Sequence, residues 1–384
     1  MDKLNILVAI ELIVVFFSLF LSCFLLTVKT EHKLSNRLFA SFLVLTAIDT
    51  SGNIFDFLNE GPSNFGMFRN LMIFLQLPTF YLYVLSVCFT DFRLKPRHWA
   101  HTIPFLLANL VLIPRFYGVN LDAKLDFLQK ISSRPEIQFN HILLHVQVIC
   151  YIVAAFMILR KSRRIYLENY AGASIASLNW LFQFTVALSI FYIIALAKNI
   201  FKFTAYPEIS EWLKSGLIIF ELIVISWYLF KALNHPNLFR TVDSKLKLVK
   251  DIVLEEGKSE LAPVNENAYN VEYLKLKDYM SDKKSYLNPS LTIKDIADDL
   301  GIPVRDLSLL INHQLGQHFY DFINTYRIEH AMEILKDGSK SKVTVLEILY
   351  EVGFNSKSSF NTAFRKHTGT TPTEYRKGLK NSDL

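Results

Sequence analysis

Up to about residue 233 the chain alternates long apolar runs with short polar breaks. Seven runs are long enough to supply the ~20 helical residues that cross a bilayer core about 30 Å thick. They are Leu4–Val28, Arg37–Leu58, Met67–Phe89, Trp99–Phe116, Phe139–Leu159, Leu178–Phe203 and Leu213–Leu233. The fourth is the shortest. The second is the least apolar, because it holds Asp49, Asn53 and Asp56. Seven near-consecutive runs leave no polar face for water, so the pattern predicts a membrane array rather than a soluble core. The first run has only Lys3 ahead of it and no small-residue cleavage pattern behind it, so it reads as a retained span, not a signal peptide.

Beyond residue 233 the period changes. Phe239, Val242, Leu246, Val249 and Val253 recur at spacings of 3, 4, 3 and 4, as in a heptad seam. Two heptads suit either a short dimerising helix or an amphipathic helix lying on the membrane or on the following domain. Asn265, Glu266, Asn267 and Asn270, just after Pro263, mark a looser joint. From there amphipathic helices follow at Val271–Ser281, Ile293–Leu300, Val304–Leu315, Phe319–Lys336, Thr344–Val352, Lys357–His367 and Thr373–Leu379. Thr292 stands as N-cap with Asp295 three residues on, and Gly301–Ile302–Pro303 makes a tight turn. Gly353 occupies the matching turn of a second helix pair, closed by Gly369. Helix, short Gly-containing turn, helix is the helix-turn-helix outline, and it occurs twice. The expected class is therefore all-α, in three parts: seven transmembrane helices over 1–233, a linker over 234–270, and a tandem helix-turn-helix domain over 271–384.

Composition sharpens this division. The apolar fraction of 51% and the 32 Phe exceed those of an ordinary soluble domain. Cys23, Cys88 and Cys150 all lie in apolar runs and show neither metal nor disulfide spacing. Residues 234–384 carry 21 basic and 21 acidic side chains, so the net +6 of the chain belongs wholly to the first part. Nucleic-acid binding must then rest on local charge. Tyr286–Gly316 has a net of −2, whereas Lys340–Lys380 sets eight basic residues against Glu347, Glu351 and Glu374 for a net of +5.

Loop charges predict orientation. The first loop has Lys29, Lys33 and Arg37, the third Arg93, Lys95 and Arg97, and the fifth Arg160, Lys161, Arg163 and Arg164. The second and sixth have no basic residue, and the fourth is mixed. Odd-numbered loops thus face the cytoplasm, the N-terminus lies outside and residues 271–384 lie inside. The expected location is a bacterial cytoplasmic membrane.

Polar residues within the runs are costly and often functional. Glu11, Asp49, Asn53, Asp56, Gln76, His141, His145, Lys198 and Glu221 fall in the outer half or near the middle. Asp49, Asn53 and Asp56 share one helix face, and so do His141 and His145. Two readings stand: a polar cavity open to the outside that receives a small ligand, or interhelical hydrogen bonds and snorkelling groups. No third ligand is evident for a metal at His141 and His145.

In the last part, Glu351-Val-Gly-Phe-Asn-Ser-Lys-Ser-Ser-Phe360 continues through Phe364-Arg-Lys366 and Gly369 to Thr371-Pro-Thr-Glu-Tyr-Arg376. Tyr326-Arg-Ile328 is followed by Ala331 and Leu335. These residues resemble the AraC/XylS family of transcription regulators over about Glu272–Lys380. The apolar first part more loosely resembles the membrane-bound variant of that family. The resemblance implies double-stranded DNA and RNA polymerase as partners. It further implies that Arg305, Ser308, Leu309 and Asn312 read bases from the first unit, and Lys357, Ser358, Asn361 and Thr362 from the second. Arg365, Lys366 and Arg376 would hold phosphates. Phe354, Phe360 and Phe364 form a small core. Two positions depart from the family pattern. Leu349 replaces the usual Ala of the brace helix, and Leu309 stands where a polar reader is common.

The leading expectation is a membrane-anchored transcription regulator with the lipid bilayer, DNA and an unidentified small-molecule or membrane signal as partners, and a homodimer where the linker helix is the dimerising kind. The seventh span and the Phe239–Val253 helix would carry the signal. The competing class is a transporter- or receptor-like protein whose tail binds protein. The sequence shows no phosphate-binding Gly loop, HExxH, GxSxG or kinase signature, so neither enzymatic activity nor a cofactor is expected.

Overall fold

The computed structural model describes residues 3–28, 33–58, 61–89, 91–171, 175–202, 204, 206–234, 266–340 and 342–382. The heptad-like residues Phe239 to Val253 lie outside them. Helices dominate, and an isolated antiparallel bridge pairs Tyr170 with Thr292. The chain divides into two bodies, Met1–Leu159 with Ser177–Thr241, and Arg160–Ala176 with Val242–Leu384.

The first body contains α1 (Lys3–Thr27), α2 (Lys33–Thr50), α3 (Gly52–Leu58), α4 (Asn64–Leu71), α5 (Ile73–Cys88), α6 (Ile103–Leu112) and α7 (Leu121–Gln129). It also holds most of α8 (Pro135–Asn169), then α9 (Ile175–Lys202) and α10 (Pro207–Asn234). Among the described residues six segments are long and apolar enough to cross a membrane: Ile6–Thr27, Asn64–Cys88, Pro96–Tyr117, Pro135–Asn169, Leu178–Lys202 and Glu208–Phe230. The expected second span is instead two helices, α2 and α3, separated at Ser51. The Thr50 and Ser51 hydroxyls turn back onto the carbonyls of Thr46 and Ile48, a side-chain-to-backbone habit that bends helices. Buried Arg69 donates to Ile48 O at 2.7 Å and satisfies a carbonyl at the break. This segment packs against α1 and α5 and buries Phe39, Phe42, Leu43 and Ala47. Shielded by its neighbours, it tolerates polar residues that a lipid-facing helix would not.

The interior of this body resolves its own irregularities. Pro78 lies inside α5 and has no N–H for the carbonyl of Phe74. The Gln147 side chain of α8 donates to that carbonyl at 2.8 Å. One long-range amide thus replaces the missing helical bond.

Helix α8 runs 35 residues, ten past the expected end of the fifth span at Leu159. Arg160, Lys161, Arg163 and Arg164 are therefore helical, not part of a loop. The run of backbone hydrogen bonds continues because no Gly or Pro interrupts residues 136–169.

The second body contains the end of α8 and then α11 (Glu266–Lys283), α12 (Ile293–Leu300), α13 (Val304–Leu309), α14 (Phe319–Lys336), α15 (Val345–Glu351), α16 (Lys357–Thr368) and α17 (Pro372–Ser382). After α13 the chain winds one wide π turn, Leu310–Gln314. Two cores stand side by side. One gathers Leu276, Ile293, Ile296, Leu307 and Ile311 with Phe319, Phe322 and Ile323 from the first half of α14. The other gathers Ile348, Leu349, Phe354, Phe360 and Phe364 with Ile328, Ala331 and Ile334 from its second half. Helix α14 is the shared spine of the two helix-turn-helix units.

Candidate nucleic-acid interface

Each unit begins with the same local device. Thr292 accepts from Asp295 N at 3.3 Å, while the Asp295 carboxylate accepts from Thr292 N at 2.8 Å. Thr344 and Glu347 repeat the pair at 3.2 and 2.7 Å. These capping boxes satisfy backbone N–H groups that the first helical turn leaves open. They also hold the Glu347 carboxyl below its ordinary value, because Thr344 donates to it from backbone and hydroxyl. Gly353, in the second turn, has φ +89°, and a side-chain carbon there would sit 2.6 Å from Leu287 O. Both the left-handed conformation and the close backbone approach demand glycine.

The helices expected to read DNA follow. In the first unit Arg305 is exposed, Leu309 and Asn312 are half-buried, and Ser308 is only 4% exposed. In the second unit Lys357, Ser358 and Thr362 are exposed and Asn361 is half-buried, on a helix whose inward face is Phe360 and Phe364. Ser356 caps this helix by accepting from Ser359 N at 3.3 Å. Leu349 is fully buried in the second core and fills the space between brace and reading helices. The Phe354, Phe360 and Phe364 core expected from the pattern forms as an edge-to-face chain, with centroids 5.2 and 5.7 Å apart.

Of the three expected phosphate holders, Arg365 is exposed. Lys366 is exposed and pairs with Asp321 at 2.7 Å. Arg376 is half-buried and donates to Val343 O at 2.7 Å, so part of its guanidinium ties α17 to the chain ahead of α15.

Arg327 of the Tyr326-Arg-Ile328 motif is central to the domain. Arg327, 1% exposed, donates to Tyr286 O at 2.6 Å, Asn288 O at 2.8 Å and Ala171 O at 2.9 Å. Its guanidinium also lies over the Phe354 ring, 5.4 Å from the centroid. Burial pushes it down to about 10, so it keeps its charge at neutral pH. The signal was present in the sequence. Arg327 stands on the i, i+4 stripe from Ile323 to Ala331 that faces the core.

The polar residues of the first body meet in several groups. Asn53 donates to Glu11 at 2.5 Å and accepts from Lys214 at 2.8 Å. Thr50 donates to Glu221, and Tyr192 to Gln76, each at 2.7 Å. Gln76 and Glu221 also line a cavity of about 40 Å³ walled by Phe39, Phe42, Phe184 and Tyr228. His141 and His145 border a separate, open groove of about 970 Å³, where His145 meets Asn199 at 3.2 Å. Asp49 and Lys198 line neither, and the Asp56 side chain is not among those described. Among the described residues no group of three or more His, Cys, Asp or Glu converges as a metal site.

The family profile described as helix-turn-helix domain matches residues 287–378, from the turn between α11 and α12 into α17. The uncharacterized transcriptional regulatory protein YesN of Bacillus subtilis is 36% identical over 92 residues, 23% of this chain and 24% of that protein. A putative AraC-like transcription regulator of Streptomyces lividans is 31% identical over 88 residues, 23% of this chain and 28% of that protein. The C-terminal part of the chain is a helix-turn-helix domain of the AraC type. This AraC-type domain is also similar to the C-terminal domain of AraT, a response regulator from Geobacillus stearothermophilus. The identity is 29% over 31% of this chain and 88% of that one, with a TM-score of 0.23. The chain spans about a quarter of the length of the two curated relatives, so the likeness is one of this domain.

Proposed function

We propose that the protein is a membrane-anchored, sequence-specific DNA-binding transcription regulator. The observation that carries this reading is an AraC-type domain with both helix-turn-helix units on a chain whose described residues include six helices apolar enough to span a bilayer. In this reading the α2–α3 segment is a seventh crossing, the N-terminus lies outside, and the basic residues near 33–37, 93–97 and 160–164 mark the cytoplasmic side. The second unit supplies most of the phosphate neutralisation, because Lys340–Lys380 has a net charge of +5 and Tyr286–Gly316 one of −2. Arg305 suits guanine, Asn312 and Asn361 suit adenine, and Leu309 suits a thymine methyl. The Glu11–Asn53–Lys214 cluster and the Gln76–Glu221 cavity are where an outside or membrane signal would act. Such a signal shifts the protein only by binding its two states differently.

The test is chromatin immunoprecipitation with the full-length, membrane-embedded protein, followed by footprinting of the recovered sites. Protection of two major-groove segments about 10–10.5 bp apart is expected. Recovery of DNA without sequence enrichment, or none at all, would sink the proposal.

A further inference from the structure

The second body includes a piece of chain that the sequence assigns to the first part. Residues 160–171, the end of α8 and the residues just after it, pack with the AraC-type domain. Ala171 is fully buried in the first core, beside Leu276, Leu291 and Ile311. Its N–H donates to Leu291 O at 3.0 Å, next to the Tyr170–Thr292 bridge, and its carbonyl accepts from Arg327. Tyr166, 3% exposed, stacks on Tyr170 with centroids 5.1 Å apart. This is a docked element, because a surface loop resting on a domain would not bury a backbone pair and a core side chain.

The contact reaches a reading position. One Asn312 N–H hydrogen is donated to Glu168 O at 3.2 Å and another to Ser308 Oγ at 3.1 Å. Its amide oxygen accepts from Phe319 N at 2.9 Å. A side-chain amide has two N–H donors, and bidentate reading of adenine needs one of them together with the oxygen. With residue 168 in place neither donor is available to a base.

We propose that residues 160–171 form an intramolecular clamp on the first helix-turn-helix unit, which holds its reading helix out of use until α8 withdraws. The inference rests on the DNA-binding reading above and names the regulation of that same site. It also relocates the lever. The same helix that contains the fifth span, Pro135–Asn169, ends in the clamp. A signal felt in the membrane part then reaches the reader along continuous backbone.

The apparent affinity of a protein whose competent state is partly populated falls in proportion to that population. Releasing the clamp should therefore tighten DNA binding, by about tenfold if the docked form outnumbers the free form about ten to one. The experiment uses the full-length chain in lipid nanodiscs, with a pool of 40-base-pair duplexes carrying a random core as probe. Two variants are compared with the parent: Ala171→Glu, which places a charge in the first core, and Tyr166→Ala, a milder loss of packing that protects against misfolding. Amide hydrogen exchange over residues 160–171 reports release directly. Faster exchange there together with about tenfold tighter retention of duplex supports the clamp. Faster exchange with unchanged or weaker retention overturns it and leaves the DNA reading standing. No retention by the parent or by either variant overturns both.

Discussion

Gly353→Ala is the sharpest probe of how the two units are joined. The new methyl would lie 2.6 Å from Leu287 O, 2.7 Å from Tyr286 O and 2.8 Å from Leu287 C. Non-bonded carbon contacts normally sit at about 3.5–4.0 Å. All three atoms are backbone, so no side chain can rotate away. Two costs add. Holding a non-glycine residue at φ +89° costs about 1–2 kcal/mol, and forcing backbone apart in a packed site costs about 1–3 kcal/mol more. Gly369→Ala is the matched control, with φ +80° and nothing within 4 Å of the added carbon. It meets only the first cost. Changes in the unfolded chain are common to both variants and cancel in the difference. The second cost, about 1–3 kcal/mol, should appear as roughly 5- to 150-fold lower exchange protection in Gly353→Ala than in Gly369→Ala. The assay is hydrogen exchange on the full-length chain in nanodiscs, read over 286–288 and 345–368. Because Tyr286 O also accepts from Arg327, the loss should extend to peptides of α14. Equal loss in the two variants would refute the close-approach argument and leave only a turn in need of a left-handed residue.

Three further outcomes follow from the same structure. Arg365→Ala should weaken DNA binding across all sequences and lower the salt slope by about 1, whereas Arg305→Ala should act mainly on sites with guanine at one position. Equal, sequence-independent losses in a binding series at several salt concentrations would contradict this. Leu349→Ala removes a fully buried side chain from the second core and should cost about 2–5 kcal/mol by the cavity it leaves. A denaturation midpoint equal to the parent's would show that the brace helix closes over the gap. Glu347 has a carboxyl held below its ordinary 4.5, so its share of stability is present above that value and lost as pH falls through the lower folded value. Stability of the parent relative to Glu347→Gln should therefore decline on the acid side of 4.5, and a difference constant across that range would count against the capping box.

The domain of tandem helices was the more legible part. The spans Ile293–Leu300 and Phe319–Lys336 match the expected bounds. The reason is physical. Thr292 with Asp295, and Thr344 with Glu347, are contacts between residues three apart, and Gly301 acts on its own backbone. The devices that start Ile293–Leu300 and Val345–Glu351 are local. Arg327 was legible in a weaker sense, as a charge on an apolar stripe, but its backbone acceptors lie 39 to 156 residues away.

The first part was legible by run length and poorly by detail. A count of apolar residues finds spans, but it treats each helix as facing lipid. The α2–α3 segment is packed between α1 and α5, and α8 runs ten residues past the end of its apolar stretch. Run length places the polar residues on helices but leaves their partners open, because a polar side chain in a helix does not specify what it meets. Asn53 meets Glu11 and Lys214, 42 and 161 positions away, while His141 and His145 border another groove.

What the sequence by itself determined was the two-part character of the chain: an apolar helical part, then two capped and glycine-turned helix pairs with basic charge gathered in the second. Periodicity, caps and charge counts act over a few residues and need no partner. What only the tertiary structure decided was which distant atoms meet. It joined Glu168 to Asn312 across 144 residues, set Ala171 in the first core and closed the second turn onto the backbone at Tyr286 and Leu287. Those contacts depend on the packing of buried surfaces far apart in the chain, which no local pattern encodes.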